Sequence, residues 1–333
     1  MCFFNKKKAK KKPKFTKIFY ATDVHGSEPT FGKFINAANF YNVDVIILGG
    51  DITGKLLIPI IKEDGNYRAT IMDVLHTAKN KQELKAITKL IEHLGCYHAH
   101  MSADEFSRLK ENPADVDLLF KQKAHERLTK WLKKADLKLQ DQRAKCYITG
   151  GNDDDEQDIE IIKVNQTEKI IFPEGRVVMI DDIHSMVSFG YSNPTPWDTP
   201  RELSEEKLAA MIEDVVKDID DFSNVIFNFH CPPKDCTLDL APKLDTSFDP
   251  PRPVTTAGEA VMVGVGSSAV RDAIEKYQPL LMLTGHIHES RGVVNIGRTT
   301  IVNPGSEYGE GILKGTIINL QDKNVLSYQM TSG

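Results

Sequence analysis

The sequence predicts an α/β fold whose strands deliver polar side chains to one edge, with a differently patterned segment inserted early. Three observations carry this. Between residues 17 and 48 an apolar strand, a helical pattern and a second apolar strand follow one another as a βαβ unit, which makes the two strands parallel neighbours. Five short apolar runs end in metal-type polar residues beside glycine or proline. Residues 55–142 instead alternate lysine and glutamate with apolar residues at helical spacing.

The first strand, Lys17-Ile18-Phe19-Tyr20-Ala21-Thr22, runs into Asp23-Val24-His25-Gly26. Phe31, Phe34, Ile35, Ala38 and Tyr41 then recur at the spacing of one helix face. The second strand, Val43 to Leu48, ends in Gly49-Gly50-Asp51. Both acidic turns therefore fall at the carboxyl edge, where open α/β sheets hold their ligands. Within 55–142 the spacing predicts only helices: one capped by Asn80 with Glu83 and stopped by Gly95, one capped by Ser102 with Glu105, and one opened by Asn112-Pro113. Strand pattern returns at Lys145 to Thr149, ending in Gly150-Gly151-Asn152-Asp153. Short alternating runs at 159–162, 169–172, 177–180 and 185–189 read as strands, and Thr199-Pro200-Arg201-Glu202 as a helix start. Asn224 to Phe229 is a strand ending in His230. Residues 232–267 read as a long surface loop, and 269–277 as a helix. Leu280 to Thr284 is a strand ending in Gly285-His286-Ile287-His288, and alternating strands near 292–296, 299–303, 314–320 and 324–331 close the chain.

Composition sets further bounds. No stretch is long and apolar enough to span a membrane, and the start lacks the apolar run of a secretory signal. Five scattered cysteines form no disulfide framework, which points to a reducing cytoplasm; Cys231 and Cys236 read as free thiols. Seven lysines and no acid fall in residues 1–14, a basic tail read as disordered; without them the formal net charge moves from −5 to −12. An acidic body argues against a general nucleic-acid binder and suits one that holds cations. The lysine head keeps a nuclease open as an alternative.

The strand-end residues Asp23, His25, Asp51, Asn152, His230, His286 and His288 combine carboxylate, imidazole and amide without thiolate, a set suited to Mn, Fe or Zn. It exceeds what one ion needs. In order, Asp-x-His, Gly-Gly-Asp, Gly-Asn-Asp, a lone His and Gly-His-x-His resemble the calcineurin-like metallophosphoesterase superfamily. The match covers 15–54 and 143–320 but not the insertion. The resemblance implies a four-layer fold of two packed mixed β-sheets flanked by helices. It divides the chain into a tail (1–14), a core (15–54 and 143–333) and a helical insertion (55–142). It implies two divalent metal ions, one held by Asp23, His25 and His288, the other by Asn152, His230 and His286, with Asp51 bridging. It further implies hydrolysis of a small phosphoester, with a metal-bridging hydroxide as nucleophile.

The sequence departs from that pattern at Asp153, where many members carry a leaving-group-protonating His. In this it resembles small bacterial and archaeal phosphodiesterases, so phosphodiesters are expected over phosphomonoesters. Asp153 begins the run Asp153-Asp154-Asp155-Glu156, read here as a solvated turn, with a proton-donating Asp153 as the alternative. Arg252 and Arg291 are candidate substrate-phosphate contacts. His184, Asn193 and Asn303-Pro304-Gly305-Ser306 read first as architecture. A phosphomonoesterase or protein phosphatase and a non-catalytic metal-binding scaffold remain the alternatives. Natural substrate and oligomeric state are not legible.

Overall fold

The computed structural model describes residues 15–333; the basic tail and Cys2 lie outside the described residues. Two six-stranded mixed sheets form the centre. Sheet I runs, in spatial order, Asn324–Ser332, Lys314–Gln321, Phe15–Ala21, Val45–Leu48, Lys145–Ile148 and Ile170–Ile171. Sheet II runs Gly292–Ile296, Thr299–Asn303, Leu281–Leu283, Val225–Phe229, Ser185–Phe189 and Val177–Met179. The inner strands are parallel; antiparallel pairing lies at both margins of sheet II but in sheet I only on the side of Lys314–Gln321 and Asn324–Ser332, the Ile170–Ile171 edge being parallel. The first two strands pair in parallel, with Ala21 opposite Leu48, across helix α1 (Glu28–Phe40).

Side-chain alternation explains the layering. Ile18, Tyr20, Ile47 and Tyr147 of sheet I pack against Met186, Ile226, Leu281 and Val302 of sheet II. On the outer face of sheet I, Phe19, Ile46 and Leu48 meet Phe34 of α1, Leu128 and Trp131 of α4 (Pro113–Leu139), and Ile159 and Ile162 of α5 (Glu156–Val164). On the outer face of sheet II, Phe227, Met282 and Ile301 meet Ile212 of α6 (Glu205–Val216) and Ile274 of α7 (Ser268–Tyr277). The order is helix, sheet, sheet, helix. Strands apolar on both faces are what burial on both sides demands.

The segment 55–142 is not all helical. It carries a four-stranded sheet, ordered Val74–Ala78, Asn66–Ile71, Leu57–Glu63 and Tyr97–Ser102, beside α2 (Lys81–His93), α3 (Ala103–Glu111) and α4. Three of its strands are short and carry neutral polar residues and histidines among their apolar ones (Asn66 and Thr70; His76 and Thr77; His98, His100 and Ser102), which dilutes the strand pattern. Its inner face packs Ile58, Ile60, Ala69 and Ile71 on Ile87 and Ile91 of α2, a small core of its own. Asp64-Gly65 and Met72-Asp73 both adopt left-handed φ pairs, the geometry of tight hairpins, though only Asp-Gly is a sequence signature of such a turn.

Three smaller expectations also change. Residues 159–162 belong to helix α5, capped by Asp155, and not to a strand. Helix α6 starts at Glu205 under the Ser204 cap, leaving Thr199 and Glu202 free for another task. Residues 232–267 hold three small two-stranded ladders. Among the described residues no helix is long and apolar enough to cross a membrane, and Cys96, Cys146, Cys231 and Cys236 are free thiols.

Candidate metal centre

The parallel strands bring five turns to one edge, where backbone hydrogen bonds lace them together. Asp23 N–H donates to Gly50 O at 3.0 Å, and His25 N–H to Asp51 O at 3.0 Å. Gly285 N–H donates to His230 O at 3.0 Å. The turns approach so closely that side chains are excluded. A Cβ on Gly151 would lie 2.0 Å from Asp51 Oδ1, and one on Gly285 2.4 Å from Asp23 Oδ2. Asp23, His25, Asp51 and His286 all adopt left-handed φ, at 53°, 37°, 48° and 68°. Such backbone costs on the order of 1–3 kcal/mol per residue and persists where surrounding structure enforces it, often at functional sites.

The side chains converge in two groups, Asp23 with His25 and His288, and Asp51 with His230 and His286. His25 Nε2 and His288 Nε2 stand 3.1 Å apart, His288 Nε2 is 3.3 Å from Asp23 Oδ1, and His230 Nε2 is 3.3 Å from Asp51 Oδ2. Asp51 also reaches the first group, with Oδ2 3.6 Å from His25 Nε2. These are edge lengths of a coordination shell: bonds of about 2.1 Å in tetrahedral geometry separate ligand atoms by roughly 3.4 Å. His230 Nδ1 lies 3.0 Å from Gly49 O, so that nitrogen carries the proton and Nε2 presents its lone pair to the cluster.

Asn152 joins through its amide. Its Nδ2 donates to Thr199 Oγ1 at 2.9 Å, and Thr199 Oγ1 donates to Glu202 Oε1 at 2.7 Å. That relay fixes the nitrogen end and leaves Asn152 Oδ1 buried without a hydrogen-bond partner among the described residues, as is His230 Nε2. Buried acceptors without donors are costly unless a cation meets them. The residues therefore fit two metal ions.

Charge tells the same story. Burial holds His25 down to about 3, and burial with the neighbouring His230 holds His286 down to about 4. Against its own burial, His230 is raised to about 10 by Asp51 and Asp23. Burial would raise the Asp51 carboxyl, but His230 and His25 keep it well below the usual range. The two buried carboxylates thus draw positive charge to the cluster: His25 and His286 are held neutral, as metal ligands must be, and an ion meeting His230 Nε2 would displace the proton those carboxylates otherwise favour there.

The acidic run is not a solvated turn. Asp154 is fully buried and its carboxylate accepts from Ile52 N, Thr53 N, Thr53 Oγ1 and Gly151 N, tying the Asp51 turn to the Asn152 turn. Asp155 caps α5. Asp153 is mostly buried: its N–H donates to Asp51 Oδ1 at 3.0 Å, and its Oδ2 lies 2.5 Å from Lys55 Nζ and 3.8 Å from His25 Nδ1. Burial and then Asp51 raise its carboxyl to about 7, with Lys55 opposing.

Arg252 and Arg291 spend their contacts elsewhere. Arg252 stacks on Phe248 at 4.5 Å, and Arg291 donates to Pro304 O and Thr331 O at 3.1 Å each. His184 and Asn193 are architectural: His184 is held by Asp181 and Asp322 O, and Asn193 by Val265 O and Cys231. Asn303 Nδ2 supports Gly285 O and Ile287 O, and Ser306 Oγ donates to Asp23 O at 2.6 Å.

Sequence reasoning missed Lys55, Tyr308, Thr199, Glu202 and Arg201. The Tyr308 ring packs 4.6 Å from His25. Buried Arg201 donates to Gly151 O, pairs with Glu174 and lies 4.2 Å over Tyr191. Lys55 alone had a signal, its place one residue beyond the Asp51 loop.

No protein-family model matches the chain. Over 131 residues it is 33% identical to the uncharacterized protein MJ1162 of Methanocaldococcus jannaschii; that stretch is 39% of this chain and spans about half, 51%, of the relative. One crystal structure superposes with a TM-score of 0.54 at 12% identity, covering 96% of this chain and 99% of that one. TT1561 of Thermus thermophilus gives 0.49 at 12% identity, over 96% and 99%. An archaeal phosphodiesterase gives 0.34 at 13% identity, over 96% and 100%. At these identities the likeness at 0.54 concerns the fold alone.

Proposed function

We propose that the chain is a dinuclear metal-dependent phosphoesterase of the calcineurin-like kind, acting on phosphodiester bonds in preference to phosphomonoesters. The observation that carries the reading is the pair of Asp/His groups with Asp51 reaching from one to within 3.6 Å of His25 in the other, beside a buried amide oxygen and a buried imidazole nitrogen that lack hydrogen-bond partners among the described residues. Asp23, His25 and His288 would hold one ion, Asn152, His230 and His286 the other, and Asp51 both. Bound there, Mn, Fe or Zn supplies Lewis acidity, lowering the pKa of water and neutralising phosphoryl charge.

The chain's own residues do the rest. His230 and Asn152 are pre-oriented by Gly49 O and by Thr199 with Glu202. Lys55, half exposed, brings a positive charge to the site beside Asp153 and is suited to an anionic substrate. Asp153 is the group able to hold and release a proton near neutral pH. Where the family carries a His, Asp153 is paired with Lys55, and that ion pair competes with proton delivery to the leaving group, so good leaving groups are favoured, which is the basis for preferring diesters with acidic alcohols.

The test is hydrolysis of a bis-aryl phosphodiester by chelator-stripped protein resupplied with Mn, compared with an alkyl phosphomonoester. Metal-restored diester turnover that Asp51→Asn abolishes supports the reading. Faster turnover of the monoester would make the chain a phosphomonoesterase, and metal uptake without turnover a scaffold.

A further inference from the structure

We propose that His125, Asp155 and Asp158 form a separate site for one divalent transition-metal ion, at the seam between α4 and α5. His125 belongs to α4, Asp155 caps α5, and Asp158 lies in its first turn. Each offers one ligand atom, and the three atoms lie within 4.8 Å of one another.

The two carboxylates divide their oxygens. Asp155 Oδ1 accepts from Gln157 N and Asp158 N, and Asp158 Oδ2 accepts from Asp155 N. That reciprocal cap satisfies the helix start and needs nothing more. It leaves Asp155 Oδ2 and Asp158 Oδ1 over. The Asp158 side chain is only 8% exposed, and its Oδ1 has no hydrogen-bond partner among the described residues. His125 Nε2, which faces it, is also buried and lacks one.

The separation distinguishes an ion from a shared proton. His125 Nε2 and Asp158 Oδ1 are 3.5 Å apart. A charge-assisted hydrogen bond between such groups closes to about 2.7–2.9 Å. Two ligands of one tetrahedral ion with bonds of about 2.1 Å stand roughly 3.4 Å apart. One imidazole with two carboxylates suits Zn, Co, Fe or Mn better than Mg or Ca. The surroundings are rich in acid: burial and then the charges of Asp154 and Asp155 raise the Asp158 carboxyl to about 8, so an ion binding here displaces a proton. The competing cation is Lys121, whose Nζ is 3.3 Å from Asp155 Oδ2; its side chain is 46% exposed and free to swing out. An ion at this seam would clamp the long helix of the insertion to the helix that follows the Asn152 turn.

The test uses full-length, chelator-stripped protein carrying Asp23→Asn and Asp51→Asn, which neutralise the carboxylates of both groups of the candidate dinuclear centre. Co(II) is titrated by calorimetry and visible absorption. One ion per chain is expected, and adding His125→Gln should abolish it. Independently, Lys121→Met should tighten that ion about tenfold, the effect of removing one unit charge some 6 Å from a divalent ion at a solvent-like effective dielectric near 80. No ion in the double variant, an ion that survives His125→Gln, or an affinity indifferent to Lys121→Met overturns the proposal. Because the dinuclear centre is disabled, its own failure would appear separately, as wild-type protein binding a single ion that His125→Gln removes.

Discussion

Replacing Asp154 with alanine should unfold the metal-free protein at markedly lower denaturant concentration, although Asp154 is not among the proposed ligands. Its carboxylate is the shared acceptor for four donors: Gly151 N at 2.8 Å, Thr53 N at 2.9 Å, Thr53 Oγ1 at 2.7 Å and Ile52 N at 3.1 Å. A buried donor left without an acceptor costs about 1–3 kcal/mol. The Thr53 hydroxyl can rotate to another partner, and a water entering the vacated space can take one N–H. Two orphaned N–H groups then remain, a loss of roughly 3–5 kcal/mol. Against this, burial and then the Asp51 charge raise the Asp154 carboxyl, so its removal relieves repulsion and trims the loss to about 2–4 kcal/mol. At an m-value of about 3 kcal/mol per molar urea, the midpoint falls by roughly 1 M. Asp154→Asn should be nearly as harmful, because the amide must turn its NH2 toward a backbone N–H. Urea unfolding followed by circular dichroism in excess chelator reads this directly. A shift under about 0.2 M with unchanged slope would refute the assignment of Asp154 as the tie between the two turns.

Four further outcomes are expected. His288→Ala should empty the metal position of Asp23 and His25, and His286→Ala that of Asn152 and His230; metal analysis showing the same position emptied by both would break the assignment. Glu202→Ala frees the Thr199 hydroxyl and so the Asn152 amide, and should weaken the Asn152-held ion about 10–100-fold in calorimetry while leaving the other unchanged. Asp153→Asn should remove the alkaline fall of the rate profile, since an acid raised to about 7 is lost as pH climbs past that value; an unchanged profile would show that Asp153 moves no proton. Away from the centre, Asp181 and Asp322 O raise His184 against its burial, above the ordinary value. Its stabilising charge is therefore complete below about pH 6.5 and fades as pH rises through the folded value. His184→Gln should cost more stability at pH 6 than at pH 9, and equal costs in thermal melts would refute the pairing.

Much of the fold was legible because burial on both faces makes the core strands continuous apolar runs, and a ligand at each end punctuates them. Six of the seven ligand candidates converge in the two Asp/His groups for that reason: each lies within a few residues of the end of a buried strand. What stayed hidden depends on contacts across long sequence separation. Glu202 reaches Asn152 through Thr199, and Thr-Pro-Arg-Glu carries the same letters as a helix start. Asp154 sits between two acids that face solvent more, so composition alone marks it as exposed. The strands of the 55–142 segment escaped because three of the four are short and mix polar with apolar residues.

That segment is part of the site's architecture and not an appendage. Gly26, Gly54 and Gly95 meet where it joins the core: a Cβ on Gly54 would lie 2.0 Å from Gly95 O, and one on Gly95 2.1 Å from His25 O. Gly26 and Gly54 flank the Asp23–His25 and Asp51 turns, whereas Gly95 ends helix α2 of the insertion. Tyr97 seals the joint by accepting from Gly54 N at 2.7 Å. Arg127 of α4 seals it from the other side, donating to Gly26 O at 2.8 Å and Cys96 O at 2.9 Å. The left-handed φ of His25 and Asp51 is thus enforced from outside the core as well as within it. A chain of core elements alone would leave Gly26 O and Gly54 N without these partners and relax the turns that aim the ligands. The inserted segment therefore supplies a share of the order on which the metal centre depends.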